Sequence, residues 1–284
     1  MLLSAGEYRL DLAPERGGAV LRFDWRGTPL FRPVCGPSIL DTACFPLVPF
    51  SNRIAHGRFQ AGDRAVSLAP NFPDSDHPHC LHGFGWLSAW EVMEADGRSA
   101  VLRHRYPDGE WPWPYVAEQQ LRLDAEGLTM ALSVTNEGDA PMPAGLGFHP
   151  YFPRDPDTLY RGLHRGEWQN SADGLPERLD LRSEAQDWWD GAPVGSRAVD
   201  TLYTDREGAL LLAWPSRDLA LEMIPSPSLR HSVVDSPAGR DFFCVEPVTH
   251  MTNALNRADA EGGMDWLAPG ETLSASVRMA ARPL

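Results

Sequence analysis

Lysine is absent from this chain of 284 residues, and all 25 of its basic residues are arginines. A lysine side chain is needed for Schiff-base catalysis, for pyridoxal-phosphate chemistry, for the phosphate-binding loop of P-loop proteins and for the nucleotide site of protein kinases. The sequence therefore excludes all of these mechanisms.

Positive charge and long apolar runs are also scarce. The sequence has 25 basic and 39 acidic residues. The resulting formal net charge of −14 disfavours binding to nucleic acids and to anionic membranes. No run approaches the roughly 18 apolar residues of a membrane-spanning helix. The N-terminal residues lack the basic and apolar regions of a signal peptide. We therefore expect a cytoplasmic protein with no nucleic-acid partner and no membrane partner.

Cysteine is rare, with Cys35, Cys44, Cys80 and Cys244 and no C-x-x-C pair. An even number of cysteines would allow disulfides, but these form mainly in secreted proteins. Since the sequence shows no signal peptide, we expect reduced thiols that are mostly buried.

Alternation of apolar and polar residues with a period of two dominates the chain. Residues 120–124 and 128–134 alternate on either side of a short turn, and residues 209–214 and 219–224 form a second candidate hairpin. The 25 glycines and 26 prolines are spread throughout as turn residues, and only residues 183–190 and 256–260 could form a helical turn or two. The pattern predicts an all-β fold, a large antiparallel β-sandwich, with residues 1–284 as a single domain.

One carboxylate stands in the apolar segment of residues 241–248. On a strand, Phe242, Cys244 and Glu246 would share one face, with Phe243 and Val245 on the other. Burial raises the pKa of a carboxyl group toward the range of a general base near neutral pH. A structural ion pair with an arginine, or a strand end that faces water, is the alternative explanation of Glu246.

One histidine lies among aromatic residues in residues 146–152, directly before a proline. This residue, His149, is held in an extended backbone conformation by Pro150. Histidine is the side chain most readily tuned to donate a proton near pH 7, so His149 is a candidate general acid. A buried imidazole with purely structural hydrogen bonds is the alternative.

His77, His79 and His82 form a dense group whose spacing resembles that of zinc ligands. On a strand, His77 and His79 would share a face, but His82 would lie on the other face. No nearby carboxylate completes a ligand set. We therefore expect no metal site. These histidines would instead lie on a loop that faces either a sugar or the solvent.

Arg53 lies at the end of the mainly apolar residues 46–54. Its planar guanidinium could hold two oxygens of a carboxylate or a polyol, or it could join two loops through backbone carbonyls. Ten tryptophans supply flat apolar faces of the kind that suit sugar rings, among them Trp86, Trp90, Trp111 and Trp113, although most are expected in the core.

Four motifs occur in a characteristic order along the chain. They are Asn52-Arg53-Ile54, Leu81-His82-Gly83-Phe84, Gly147-x-His149-Pro150-Tyr151-Phe152 and Val245-Glu246-Pro247. This pattern resembles the aldose 1-epimerase (galactose mutarotase) family, and the likeness runs from about Asp24 to Met279. The large β-sandwich of that family agrees with the hairpin pattern.

The resemblance implies roles for five residues. Glu246 would be the general base and His149 the general acid, while Arg53 and His82 would bind sugar hydroxyls. An aspartate in the second half of the chain would hold a further hydroxyl. Asp200 looks like that residue, and Asp205 and Asp180 are nearby alternatives.

The motif His82-Gly83-Phe84 departs from the His-Gly-Gly of galactose-specific members. The phenylalanine form is similar to that of the hexose-6-phosphate mutarotase branch. A free aldose and its 6-phosphate therefore both remain open as substrates.

The resemblance implies an aldose 1-epimerase that interconverts the α and β anomers of a free aldose. A carboxylate and an imidazolium on opposite sides of the C1–O5 edge would deprotonate the C1 hydroxyl and protonate the ring oxygen. This chemistry needs no cofactor and no metal. The alternatives are a hexose-6-phosphate mutarotase, a non-catalytic carbohydrate-binding β-sandwich and a histidine-ligated metal enzyme, and we expect a monomer or a homodimer.

Overall fold

The computed structural model describes residues 1–181, 188–257 and 262–284, and β-strands dominate it. The strands of the first half are β1 (Leu2–Ala5), β2 (Tyr8–Ala13), β3 (Ala19–Trp25), β4 (Thr28–Pro29), β5 (Cys44–Leu47), β6 (Arg53–Ile54), β7 (Arg58–Ala61), β8 (Arg64–Ser67), β9 (Cys80–Leu81), β10 (Glu91–Ala95), β11 (Ser99–Tyr106), β12 (Tyr115–Asp124) and β13 (Gly127–Asn136). The strands of the second half are β14 (Met142–Ala144), β15 (Gly147–Pro153), β16 (Leu159–Asn170), β17 (Pro176–Asp180), β18 (Ala192–Pro193), β19 (Val199–Trp214), β20 (Leu219–Pro225), β21 (His231–Ser236), β22 (Phe242–Val248), β23 (Asp265–Leu267) and β24 (Thr272–Arg282).

The helical elements of the described residues are single turns of 3-10 helix. They are Ile39–Asp41, Ala55–Gly57, Gly85–Leu87, Val194–Ser196, Pro215–Arg217 and Ala254–Asn256. The two helical turns predicted at residues 183–190 and 256–260 lie partly outside the described residues. No helix in the described ranges has the length and apolar character needed to cross a membrane.

Most strands join one large antiparallel sheet that folds into two layers. One half contains β1, β2, β3, β5, β15, β22, β21 and β19 in hydrogen-bonded order. The other half contains β20, β24, β13, β12, β11 and β10. The 16-residue strand β19 connects them, because its first part pairs with β21 and its last part with β20.

The two halves of the sheet pack against each other through one buried apolar cluster. Val234 and Val245 join it from the first half, and Leu121 and Val277 join it from the second. Burial of such side chains contributes about 25 cal/mol for each Å² of apolar surface removed from water, which makes this core the main source of stability. The predicted large antiparallel β-sandwich is confirmed.

Both predicted hairpins are present. Strands β12 and β13 pair from Tyr115 opposite Asn136 to Asp124 opposite Gly127, which leaves a two-residue loop. Strands β19 and β20 pair around the 3-10 turn Pro215–Arg217. Local alternation and turn residues were therefore sufficient to predict these pairings.

Five neighbouring strands, β5, β15, β22, β21 and β19, have a second apolar layer on the face away from the main core. On β22, Phe243 and Val245 belong to the main core, whereas Cys244 and Val248 belong to the second cluster. The predicted alternation of this strand is confirmed, and Glu246 lies on the face of Cys244. The four cysteines are unpaired and all but Cys35 are buried, as expected.

Candidate active site

A cleft of about 710 Å³ opens on this second face. Its volume falls within the range of about 300–1,000 Å³ that is common for small-molecule sites. The residues that line it include all five predicted site residues, namely Arg53, His82, His149, Asp200 and Glu246. The alternatives Asp180 and Asp205 are not among the lining residues, and Asp205 instead pairs with Arg165 at 2.8 Å.

Glu246 and His149 are in direct contact at the floor of the cleft. Strands β15 and β22 pair with Tyr151 opposite Cys244, a register that places His149 opposite Glu246. His149 Nε2 lies 3.2 Å from Glu246 Oε1, and the two side chains are only 10% and 3% exposed. The two groups therefore lie side by side at the floor of the cleft.

This contact uses one oxygen of Glu246 and one nitrogen of His149, and the second polar atom of each side chain does not take part in it. Glu246 Oε2 and His149 Nδ1 are buried and have no hydrogen-bond partner among the residues that the structure describes. A buried polar atom without a partner costs free energy. The Glu246 carboxyl is thus available to a polar ligand in the cleft.

Burial shifts the proton affinities of this pair in opposite directions. It raises the pKa of Glu246 well above its ordinary 4.5, and the charges of Asp200 and Asp235 add to that effect. It lowers the pKa of His149 to about 3, with a smaller contribution from Arg32. Both shifts favour the uncharged forms, a protonated carboxyl and a neutral imidazole, in which the pair shares one titratable proton.

Aromatic rings fix the plane of the His149 imidazole. Phe45, which is opposite His149 in the β5–β15 pairing, stacks on it at 4.5 Å between ring centroids. The ring of Tyr151 lies at 4.7 Å. Phe45 in turn stacks on the buried Trp86 at 5.3 Å. This support holds the imidazole in one orientation toward Glu246.

Arg53 and Asp200 form an ion pair across the cleft. Arg53 is on the short strand β6, and its Nη2 donates to Asp200 Oδ2 at 2.8 Å. Its Nη1 donates to Asn52 Oδ1 at 3.1 Å, and its Nε donates to His77 Nε2 at 3.5 Å. The guanidinium is therefore oriented from three sides.

His82 is held as a neutral hydrogen-bond donor toward the cleft. Its Nδ1 accepts the Asn52 N–H at 3.1 Å, so its own proton lies on Nε2. Burial lowers the pKa of His82 far below 6.5, and neighbouring His149 and Arg53 lower it further. At the next residue, Gly83, φ is +70° and a Cβ would lie 2.1 Å from Val48 O, so only glycine fits there.

The remaining histidines of the group do not line the cleft. His79 is fully buried, and its Nδ1 accepts the His56 N–H at 2.9 Å. The Nδ1 of His77 accepts the His79 N–H at 3.3 Å, and its Nε2 contacts Arg53. These two imidazoles therefore support β6, which carries Arg53, and the turn that follows it.

A different group of residues has the spacing of metal ligands. Among the described parts of the chain, His149, Cys244 and Glu246 are the one set of three whose ligand atoms lie within 4.8 Å of one another. Burial raises the pKa of the Cys244 thiol well above 9. The absence of a metal site stays a prediction.

The sequence did not identify Asp235 and Arg32 as cleft residues. Asp235 is on β21, beside the strands of Asp200 and Glu246. Arg32 lies over the rings of Tyr151 at 3.9 Å and Phe242 at 4.7 Å, and donates to two backbone carbonyls. Asp235 reaches the cleft because β21 pairs with both β19 and β22, and Arg32 reaches it through its contact with Tyr151, which is far away in the sequence.

The aromatic side chains of the cleft are not tryptophans. Trp86, Trp90, Trp111 and Trp113 are buried in the core, as expected for most of them. The aromatic rings that line the cleft belong to Phe72, Tyr151 and Phe242. Phe84 of the motif His82-Gly83-Phe84 is not a lining residue and packs on Tyr106 at 4.8 Å.

Comparison with known proteins identifies one family. The family model described as aldose 1-epimerase matches residues 2–280. A protein of Escherichia coli (strain K12), YphB, which is described as uncharacterized, is 33% identical over 294 residues, covering 98% of this chain and 97% of the relative.

Solved structures with a similar fold agree with the family match. A candidate aldose 1-epimerase from Escherichia coli K12 has a TM-score of 0.91 and 30% identity, with 100% of this chain and 98% of the other covered. A galactose mutarotase-like protein from Clostridium acetobutylicum has a TM-score of 0.88 at 19% identity, with 100% and 95% of the two chains covered. Because its identity is only 19%, the similarity to the Clostridium acetobutylicum protein concerns the fold alone.

Proposed function

Because this chain belongs to the aldose 1-epimerase family, we propose that it interconverts the α and β anomers of a free aldose. The observation that carries this proposal is the buried contact of 3.2 Å between His149 Nε2 and Glu246 Oε1 at the floor of the cleft. The oxygens O1 and O5 of a cyclic aldose are both bonded to C1. The two groups that exchange protons with these oxygens must therefore be neighbours.

The pair Glu246 and His149 can open the ring with no net change in its protons. Transfer of the shared proton from Glu246 to His149 gives the reactive form with an ionised Glu246 and a protonated His149. In this form the carboxylate removes the O1 proton while the imidazolium protonates O5. The O1–H electron pair becomes the second C1–O1 bond, and the C1–O5 pair stays with O5. Rotation about C1–C2 and the reverse transfers close the ring on either face.

Three further residues would bind the sugar hydroxyls. Arg53 presents donors, Asp200 presents acceptors, and the Nε2–H of His82 presents a donor toward the cleft. We propose that these groups hold the ring in one position while C1 reacts, which lowers the barrier because the reacting atoms are already oriented. Their fixed partners keep each one in a single geometry.

Free aldoses are expected to be better substrates than their 6-phosphates. The net charge is −14. Three arginines line the cleft, of which Arg53 is bound to Asp200 and Arg32 to backbone carbonyls, while Arg240 is exposed. The carboxyl groups that line the cleft outnumber the arginines and belong to Asp41, Asp200, Asp235, Asp241 and Glu246. The net negative charge of the whole chain repels a phosphate dianion at long range.

Polarimetry with freshly dissolved glucose, galactose, xylose, arabinose and glucose 6-phosphate, at low and high salt, measures this preference. We expect kcat/KM for the best free aldose to exceed that for the phosphate by at least about tenfold. A preference of tenfold for the phosphate that shrinks as salt rises would assign the protein to the hexose-6-phosphate branch.

The rate should depend on pH through the single proton of the Glu246–His149 pair. The pKa of His149 is lowered to about 3, and that of Glu246 is raised above 4.5. The active one-proton form persists between these limits. It gains a second proton at lower pH and loses its only proton at higher pH, so both limits belong to the pair.

We expect kcat/KM to stay constant well below pH 6.5 and to fall on the alkaline side. The profile is measured by polarimetry after subtraction of the uncatalysed mutarotation at each pH. A loss of activity with a midpoint near 6.5 on the acid side would show instead an ordinary exposed imidazole acting apart from Glu246.

A further inference from the structure

Asp235 lies beside the residues proposed to react with and bind the sugar. On β21 it is opposite Asp200 of β19 and opposite Cys244 of β22, and Val233, two residues earlier, is opposite Glu246. Since side chains two residues apart share a face, three neighbouring strands direct carboxyl groups into the same cleft. All three carboxyl groups line it.

The three carboxyl groups differ in what they already bind. Asp200 is paired with Arg53 at 2.8 Å, and one oxygen of Glu246 contacts His149 at 3.2 Å. The Asp235 side chain makes no hydrogen bond and no ion pair within residues 1–181, 188–257 and 262–284. The buried Oε2 of Glu246 is likewise without a partner there. Polar groups in this position are satisfied by a ligand or by water.

The proton affinity of Asp235 suits a hydroxyl ligand. Burial raises the pKa of Asp235 to about 7, and the charge of Asp200 adds to this effect, while Arg53 opposes it. Near neutral pH the carboxyl is thus populated in both forms, of which one only accepts and the other also donates. A sugar hydroxyl donates and accepts as well, so it can pair with either form.

On the premise of the proposed function, we propose that Asp235 is a specificity-determining residue that binds a ring hydroxyl of the aldose next to the one held by Asp200. The two carboxyl groups are on adjacent strands at paired positions, a spacing that suits neighbouring hydroxyls of one ring. Asp235 thereby distinguishes sugars that present a hydroxyl there from epimers and deoxy sugars that do not.

The test combines one variant with a series of monodeoxy aldoses. Asp235→Ala is expected to raise KM for the preferred aldose by about tenfold and to change kcat less than about threefold, because a hydrogen bond to a carboxyl group is lost in the ground state and the transition state alike. With the one deoxy aldose that lacks the bound hydroxyl, Asp235→Ala and the unmodified protein should have KM values within about twofold.

A matched control and a second variant complete the design. Asp241 lines the rim of the same cleft and is exposed, so Asp241→Ala removes a similar charge without the proposed contact and should leave KM within about twofold. If thermal melting shows that Asp235→Ala is unfolded, the isosteric Asp235→Asn is measured in its place, with an expected rise in KM of about threefold.

Several results would overturn the proposal. The first is an unchanged KM in Asp235→Ala, and the second is a rise in KM of equal size for every deoxy aldose. The third is an effect on kcat alone, which would mean that Asp235 acts only through its electric field at Glu246. Activity of the unmodified protein tests the proposed function separately. If it binds aldoses in calorimetry without turnover, the same comparison of dissociation constants tests Asp235 alone, and if it does neither, both proposals fail.

Discussion

Glu246→Gln is expected to lower the rate of mutarotation by at least about 100-fold while the protein keeps its fold and its affinity for the sugar. The amide has the shape of the carboxyl and can still accept a hydrogen bond, but it cannot take the O1 proton. Polarimetry measures the rate, and calorimetry of the same sugar measures binding. Loss of turnover with binding preserved would separate an enzyme from a carbohydrate-binding module.

The stability of the Glu246→Gln variant provides an independent check. Burial raises the pKa of Glu246 above 4.5, so the folded protein holds this proton more tightly than the unfolded chain does. The stability that Glu246 contributes is therefore complete below pH 4.5 and is lost as pH rises through the folded pKa. Glutamine does not ionise, and we expect the Tm of the variant at pH 8 to equal or exceed that of the unmodified protein.

Glu167→Gln is the matched control for this experiment. Glu167 is also a buried glutamate, but it pairs with Arg197 through contacts of 2.7 and 2.9 Å on another part of the sheet. Its substitution is expected to lower Tm with little effect on the rate. Turnover close to that of the unmodified protein in Glu246→Gln would show that the general base is a different group.

The sequence predicted the fold class because several consecutive strands form hairpins whose alternation and turns are local. Residues 120–124 and 128–134 contain both the alternation and the turn of the β12–β13 hairpin. In the same way, the alternation around Glu246 predicted which of its neighbours share its face. These properties depend on local sequence, so local patterns were sufficient.

The contents of the cleft depend on pairings that local patterns do not determine. Asp235 enters the cleft because β21 pairs with both β19 and β22, and nothing in residues 231–236 indicates those partners. The contact between His149 and Glu246 similarly depends on the register of β15 and β22. The resemblance of four motifs to a family indicated which residues meet, but it did not predict Asp235 or show that His149 and Glu246 lie side by side.

His149→Asn is expected to lower the rate of mutarotation by at least about 100-fold, because an amide cannot deliver a proton to the ring oxygen. The smaller side chain also leaves space next to Phe45, which stacks on the imidazole, and next to Tyr151, whose ring is tilted against it. Some loss of Tm is therefore expected in addition. His104→Asn is the control, since His104 is buried beside Tyr115, outside the residues that line the cleft, and its loss should leave the rate unchanged.

The pH profile of His149→Asn distinguishes a proton donor from a residue that only supports Glu246. Without the imidazole the pair cannot take up a second proton, so the remaining activity should no longer fall at the acid limit set by His149. If His149→Asn retains full activity while Glu246→Gln is inactive, a different group protonates O5. His82 would then be the next residue to substitute, because its ring lies 5.3 Å from that of His149 and its Nε2–H is free of the backbone contact that its Nδ1 makes with Asn52.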